Sequence, residues 1–164
     1  MPDSRKIVIN TGPLLALIAG MGNLNILDSL YERVIVPFEV CGEILSGGSA
    51  SFGIQEFSAA DFLTKIDHPA EIYPYLQNSL DLGESSVIQT ALDNTIQTVC
   101  IDETVGRRIA RLNGLKLTGS LGIMIRAKRE GHPFLLHDAV ERMRAQGIWL
   151  SDRLVSFALQ QAGE

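Results

Sequence analysis

Four polar side chains fall at predicted strand ends or on the helices adjoining them. Asn10 follows Ile7-Val8-Ile9 and Asp102 follows Val99-Cys100-Ile101. Glu84 opens the helical segment that feeds the second of these strands, and Glu43 lies on the helical segment after Val34-Ile35-Val36. In open α/β sheets, sites form outside the carboxyl ends of the strands, so this placement predicts an oxygen-rich cluster. Carboxylate and amide oxygens suit hard divalent ions such as Mg²⁺ or Mn²⁺. Such an ion lowers the pKa of a bound water and stabilises charge on a phosphodiester. His68, His132 and His137 have no paired ligand spacing, which argues against zinc. Each polar residue also has a structural reading. Asp81-Leu82-Gly83-Glu84 has capping-box spacing. Asp102 could be an N-cap, Asn10 an Asx-turn residue, and Glu43, one turn after Glu39, part of a solvated face. Glu103 reads as a first-turn helix residue.

The elements that must position these side chains alternate. Lys6 to Ile9 reads as a strand, stopped by Asn10-Thr11-Gly12-Pro13, and Leu14 to Ile18 as a short buried helix opened by Pro13. A helix over Asn25 to Tyr31, a strand at Val34 to Val36, and a helix from Pro37 to about Leu45 follow. Gly47-Gly48-Ser49 begins a Gly/Ser-rich stretch to about Ala60, a candidate lid or contact loop. Next come a strand at Phe62 to Ile66 and helices over Ile72 to Leu80 and Leu82 to Asn94, the latter with Val87, Ile88, Ala91 and Leu92 on one face. Thr98 to Ile101 and Leu115 to Leu117 read as strands, and Thr104 to Leu112 and Ser120 to Arg129 as helices. Two more helices are expected over 137–146 and 152–161. In the last, Val155 and Leu159, with Ala158, form an apolar face that should pack on the rest or else serve as an oligomer contact. Strands alternating with helices point to a parallel sheet covered on both faces.

The 164 residues, 46% of them hydrophobic, suit one α/β domain over 1–164. No apolar run is long enough to span a bilayer, and no small-residue cleavage site follows a long apolar region near the start. A soluble, cytoplasmic protein is the expectation. Cys41 and Cys100 lack CxxC spacing and read as buried free thiols. The net charge of −5 is uneven: residues 1–101 hold 4 basic and 12 acidic side chains, residues 102–164 hold 10 basic and 7 acidic. An acidic half joined to a basic half fits a metal pocket beside a phosphate-binding rim, and equally fits two solvated faces.

The chain resembles the PIN-domain family from about Lys6 to Gly163. The resemblance rests on Ile7 to Leu17, on Val36-Pro37 with Val40 and Glu43, on Leu82-Gly83-Glu84, and on Ile101-Asp102-Glu103 with Arg107-Arg108. Leu117 to Gly122 and Gly147 to Asp152 complete it. It looks like a bacterial or archaeal PIN-like branch with a helical C-terminal extension, about 132–164. The resemblance implies a three-layer α/β/α fold with a central parallel sheet and a metal-dependent ribonuclease. Many such proteins are toxins of toxin–antitoxin pairs, inhibited by a small antitoxin and often dimeric. The family's acids fall at the end of the first strand, on the helix after the second, at the opening of a later helix, and after the following strand. Carried over, these are Asn10, Glu43, Glu84 and Asp102, as catalytic and metal-holding residues. Thr11 matches the hydroxyl residue after the first acid, and Gly12 stands where Ser is more usual. The first position is an amide here, which can coordinate an ion but brings no charge.

The expectation is therefore an RNA phosphodiesterase using Mg²⁺ or Mn²⁺, with Thr11, Arg107 and Arg108 on the RNA side and Arg111 a further backbone contact. A small antitoxin and a second copy of the chain are the implied partners, and no membrane is. Asn10 favours a competing class, a module of the same fold that binds RNA or a protein without catalysis. A phospho-acceptor domain also places acids at strand ends, but no suitable lysine ends a strand.

Overall fold

The computed structural model describes residues 5–47 and 51–164. In chain order the elements are β1 (Lys6–Ile9), α1 (Thr11–Met21), α2 (Asn25–Leu30), β2 (Arg33–Val36), α3 (Phe38–Leu45), α4 (Ile54–Ala59), β3 (Thr64–Lys65) and α5 (Pro74–Ser79). Then follow α6 (Leu82–Asp93), β4 (Thr98–Cys100), α7 (Thr104–Leu112), β5 (Lys116–Thr118), α8 (Ser120–Arg129), α9 (Leu136–Ala145) and α10 (Asp152–Gln161).

The strands form one parallel sheet in the order β3-β2-β1-β4-β5. Successive strand residues point to opposite faces. Ile7, Val8 and Ile9 are nevertheless all fully buried, so helices cover both faces of β1 and the fold is a three-layer α/β/α arrangement. The strand order carries the functional consequence. From β1 the chain steps outward to β2 and β3, then returns across β1 to lay down β4 and β5. The order thus reverses between β1 and β4, and a crevice opens at their carboxyl ends. Asn10 and Asp102 sit at that edge, and the Asn10 N–H donates to the Cys100 carbonyl at 3.1 Å.

Several boundaries depart from expectation. α1 starts at Thr11 and runs to Met21, well beyond Leu14 to Ile18. Pro13 sits inside its first turn, where backbone N–H groups have no intrahelical partner, so the missing donor costs nothing. The Gly/Ser-rich stretch is not all loop. Gly53, at φ 84°, leads into α4, whose Phe57 is buried; Ile54 and Phe57 at helical spacing outweigh the flexible composition. Gly48, Ser49 and Ala50 lie outside the described residues. β3 is shorter than Phe62 to Ile66, as suits an edge strand.

The C-terminal helices close over α1 and α8. Leu136, Ala139, Val140 and Met143 of α9 are buried, as are Val155 and Ala158 of α10. The Glu164 carboxylate accepts from the Leu136 and His137 N–H groups and pairs with Lys128, tying the end of the chain to α9 and α8. No helix among the described residues is long and apolar enough to cross a membrane.

Candidate active site

Asn10 is the N-cap position of α1, yet its side chain makes no capping hydrogen bond. Its Oδ1 is buried and has no hydrogen-bond partner among the described residues. A buried acceptor left unpaired costs on the order of 1–3 kcal/mol, so the Asx-turn reading does not account for Asn10. Glu43 comes to the same spot from α3. The Thr11 hydroxyl donates to Glu43 Oε2 at 2.6 Å and fixes the carboxylate's orientation. The expectation of Thr11 as an RNA contact therefore meets a hydroxyl already engaged with a candidate ligand.

Gly83 makes this approach possible. A Cβ there would lie 2.5 Å from Glu43 Oε1, 3.0 Å from Oε2 and 3.1 Å from Asn10 Oδ1. The space a side chain would fill is instead rimmed by three oxygens. Glu84, next in the chain, is buried, and its N–H donates to Asp81 Oδ1 at 2.8 Å. That bond realises the capping role of Asp81. Its carboxyl lies against Gly106 of α7, where a Cβ would come within 3.1 Å of Oε2. Burial first, then the charge of Asp81 and a hydrogen bond with it, then Glu103 and Glu43, push the Glu84 carboxyl up to about 7.

Asp102 shares this edge of the sheet and is engaged by α8. Its Oδ1 accepts from the Ser120 N–H at 2.8 Å and its Oδ2 from the Ser120 hydroxyl at 2.9 Å. It therefore caps α8, not the helix that follows it, because the first turn of α8 offers unpaired donors where neighbouring acids offer none. Arg107 also turns inward, its Nη1 donating to the carbonyls of Ile101 at 2.7 Å and Thr118 at 3.2 Å. Arg108 is exposed on α7. Glu39, which the structural reading of Glu43 put on a solvated face, is buried and accepts from the Ala70 N–H at 2.9 Å. The structure thus gathers Asn10, Glu43 and Glu84 around the first turn of α6 and leaves Asp102 tied to α8. Among the described residues, no three His, Cys, Asp or Glu side chains form a group able to hold a metal ion.

A family model of the PIN domain matches residues 6–164. The chain belongs to the PIN-domain family. No curated protein and no solved structure gave a match. A PIN domain is a nuclease-type fold, and PIN domains generally use divalent metals. The donors here fit such a group: every candidate ligand atom is oxygen, and the orphaned Asn10 Oδ1 faces the Gly83 cradle beside Glu43. In this PIN domain, then, the residues that sequence reasoning missed are those that make room or hold ligands. Gly83 and Gly106 supply space and Ser120 supplies donors. Gly83 and Ser120 lay within segments already singled out, Leu82-Gly83-Glu84 and Leu117 to Gly122, but nothing in their types showed that the missing side chain or the donors mattered.

Proposed function

We propose that this PIN domain is a Mg²⁺- or Mn²⁺-dependent endoribonuclease that hydrolyses RNA phosphodiester bonds, toxin-like in setting, with a small antitoxin and a second copy as partners. The observation that carries the reading is the buried, unpartnered Asn10 Oδ1 beside both Glu43 oxygens around Gly83. An acceptor left unpaired in an acidic, oxygen-lined cradle is matched by a cation. Asn10 and Glu43 would hold the ion, with Glu84 beside them and Asp102 at the rim of the same sheet edge. When bound, such an ion stabilises charge on the phosphodiester and makes water more acidic. The remaining work falls to the protein. Thr11 keeps Glu43 in one orientation, Arg107 braces the ends of β4 and β5, and exposed Arg108 offers charge to the RNA backbone.

The test is RNA cleavage in Mn²⁺ by the native protein, Asn10→Asp and Glu43→Gln. Cleavage by the native protein that rises in Asn10→Asp and disappears in Glu43→Gln is expected. Cleavage unchanged in Glu43→Gln would place the chemistry elsewhere. The neutral amide at position 10 favours a second reading, a PIN module that binds RNA or a protein without cutting. RNA binding without cleavage in either Mn²⁺ or Mg²⁺ would select it.

A further inference from the structure

Tyr73 and Tyr75 are half exposed, and their rings stack with centroids 6.1 Å apart and planes 17° from parallel. One bond fixes the backbone at Tyr73 and another the ring of Tyr75. The Tyr73 N–H donates to Gln89 Oε1 of α6 at 2.9 Å, and the Tyr75 hydroxyl donates to Asn113 Oδ1, just past α7, at 2.7 Å. Exposed aromatic rings that are rigidly oriented lose little freedom on binding a flat partner. The other end of α7 is at the candidate site, where Gly106 packs on Glu84 and Asp102-Glu103 lead in. Between the two ends, Val105, Arg108 and Leu112 fall on one exposed stripe at i, i+3 and i+7, with exposed Arg111 beside them. Neither Arg108 nor Arg111 makes a side-chain hydrogen bond or ion pair among the described residues. The helix carries no acid from Thr104 to Leu112.

From these observations we propose that the Tyr73–Tyr75 pair and the exposed face of α7 form a platform for single-stranded RNA leading into the site. The inference rests on the RNA reading above. Stacking rings together with unpaired arginines are the two ingredients that hold single strands: bases stack on aromatics while cations track the phosphates. The ten steps from Glu103 to Asn113 span roughly 15 Å of helix. At about 3.4 Å per stacked nucleotide, the rings lie about four nucleotides from the site.

The experiment measures binding of labelled single-stranded RNA in EDTA, using a long oligonucleotide and a trinucleotide, across a range of salt. Tyr73→Ala/Tyr75→Ala should weaken binding of the long RNA about tenfold or more. It should leave the salt slope and trinucleotide binding unchanged, because a trinucleotide seated at the site does not reach the rings. Arg108→Gln/Arg111→Gln should lower the salt slope by about 1.4. Tyr73→Ala alone leaves the Tyr75–Asn113 bond intact and keeps the test if the double variant misfolds. Native-like binding of long RNA by the folded tyrosine variants overturns the platform and leaves the RNA reading standing. Native-like RNA binding joined to loss of a dimer in a solution mass measurement also overturns it and assigns the face to a second copy. If the native protein binds no RNA even at low salt, the platform and the RNA reading fall together.

Discussion

Gly83→Ala separates the candidate site from the fold. The new methyl would start 2.5 Å from Glu43 Oε1 and 3.1 Å from Asn10 Oδ1. Ordinary contact begins near 3.4 Å, so Glu43 Oε1 must retreat by about 0.9 Å and Asn10 Oδ1 by about 0.3 Å. Glu43 is exposed and at the end of a flexible chain, so it can swing into water. That movement forfeits its hydrogen bond from Thr11, worth about 1 kcal/mol. Against this, alanine is favoured over glycine in a helix by up to about 1 kcal/mol, and by less in the first turn where Gly83 sits. The two effects nearly cancel, so the metal-free variant should melt within about 2–4 °C of the native protein. Mn²⁺ binding should suffer far more, because both nearest donors are displaced. An ion at a hundred times its Kd stabilises the folded state by about 2.7 kcal/mol. Thermal melts with and without millimolar Mn²⁺ should therefore show a clear shift for the native protein and little or none for Gly83→Ala. An equal Mn²⁺ shift in both proteins would refute the cradle. A metal-free variant destabilised by more than about 3 kcal/mol would refute the argument that Glu43 yields freely.

Asn10→Asp should bind Mn²⁺ more tightly by calorimetry yet be no more stable in EDTA, since a further buried charge beside Glu43 repels it; greater metal-free stability would count against the geometry. Glu84 has a carboxyl raised to about 7, so its contribution to stability is complete below its ordinary value near 4.5 and is lost as pH rises through 7. Between pH 5 and 8 in EDTA, urea unfolding should show the native protein losing on the order of 2 kcal/mol more than Glu84→Gln, the full conversion of the shift being reduced because solvent at exposed Glu43 screens the site. Parallel pH profiles for the two proteins would show that Glu84 is not the titrating group. Glu164→Ala removes the carboxylate that caps α9 and pairs with Lys128; denaturant unfolding should register a loss of about 1 kcal/mol, and a loss within error would mean solvent replaces the cap.

The sheet was legible because burial on both faces leaves a direct mark: Ile7-Val8-Ile9 and Val34-Ile35-Val36 are apolar without alternation, as parallel strands are. α7 and α8 also fall where the sequence placed helices, at Thr104–Leu112 and Ser120–Arg129. α4 was hidden because composition is a local signal, whereas the burial of Phe57 is a tertiary one. The same division runs through the site. Asn10, Glu43 and Glu84 could be singled out because a strand end, the helix after β2 and the start of α6 fix their positions. What engages Asp102 could not, because spacing alone names no donor for a carboxylate at that edge. The donor is Ser120, eighteen residues later in the chain. Gly83 shows the limit most plainly: its role is an absence of atoms, and only its neighbours reveal it.

The four positions have one electrostatic problem in common, and each meets it differently. Like charges gathered at a sheet edge repel, and each must be quieted for the chain to fold. Position 10 carries an amide in place of a charge. Glu43 takes a hydroxyl donor from Thr11. Glu84 is pushed toward its neutral form by burial, and Asp102 has both oxygens occupied by Ser120. A cation entering this edge must displace or outcompete those arrangements: a proton on Glu84, and the α8 donors if Asp102 is to join. Only Asn10 Oδ1 gives up nothing, since it has no partner to lose. Affinity for a divalent ion should therefore be modest near neutral pH and should climb as Glu84 loses its proton, with the amide oxygen and Glu43 as the first point of attachment.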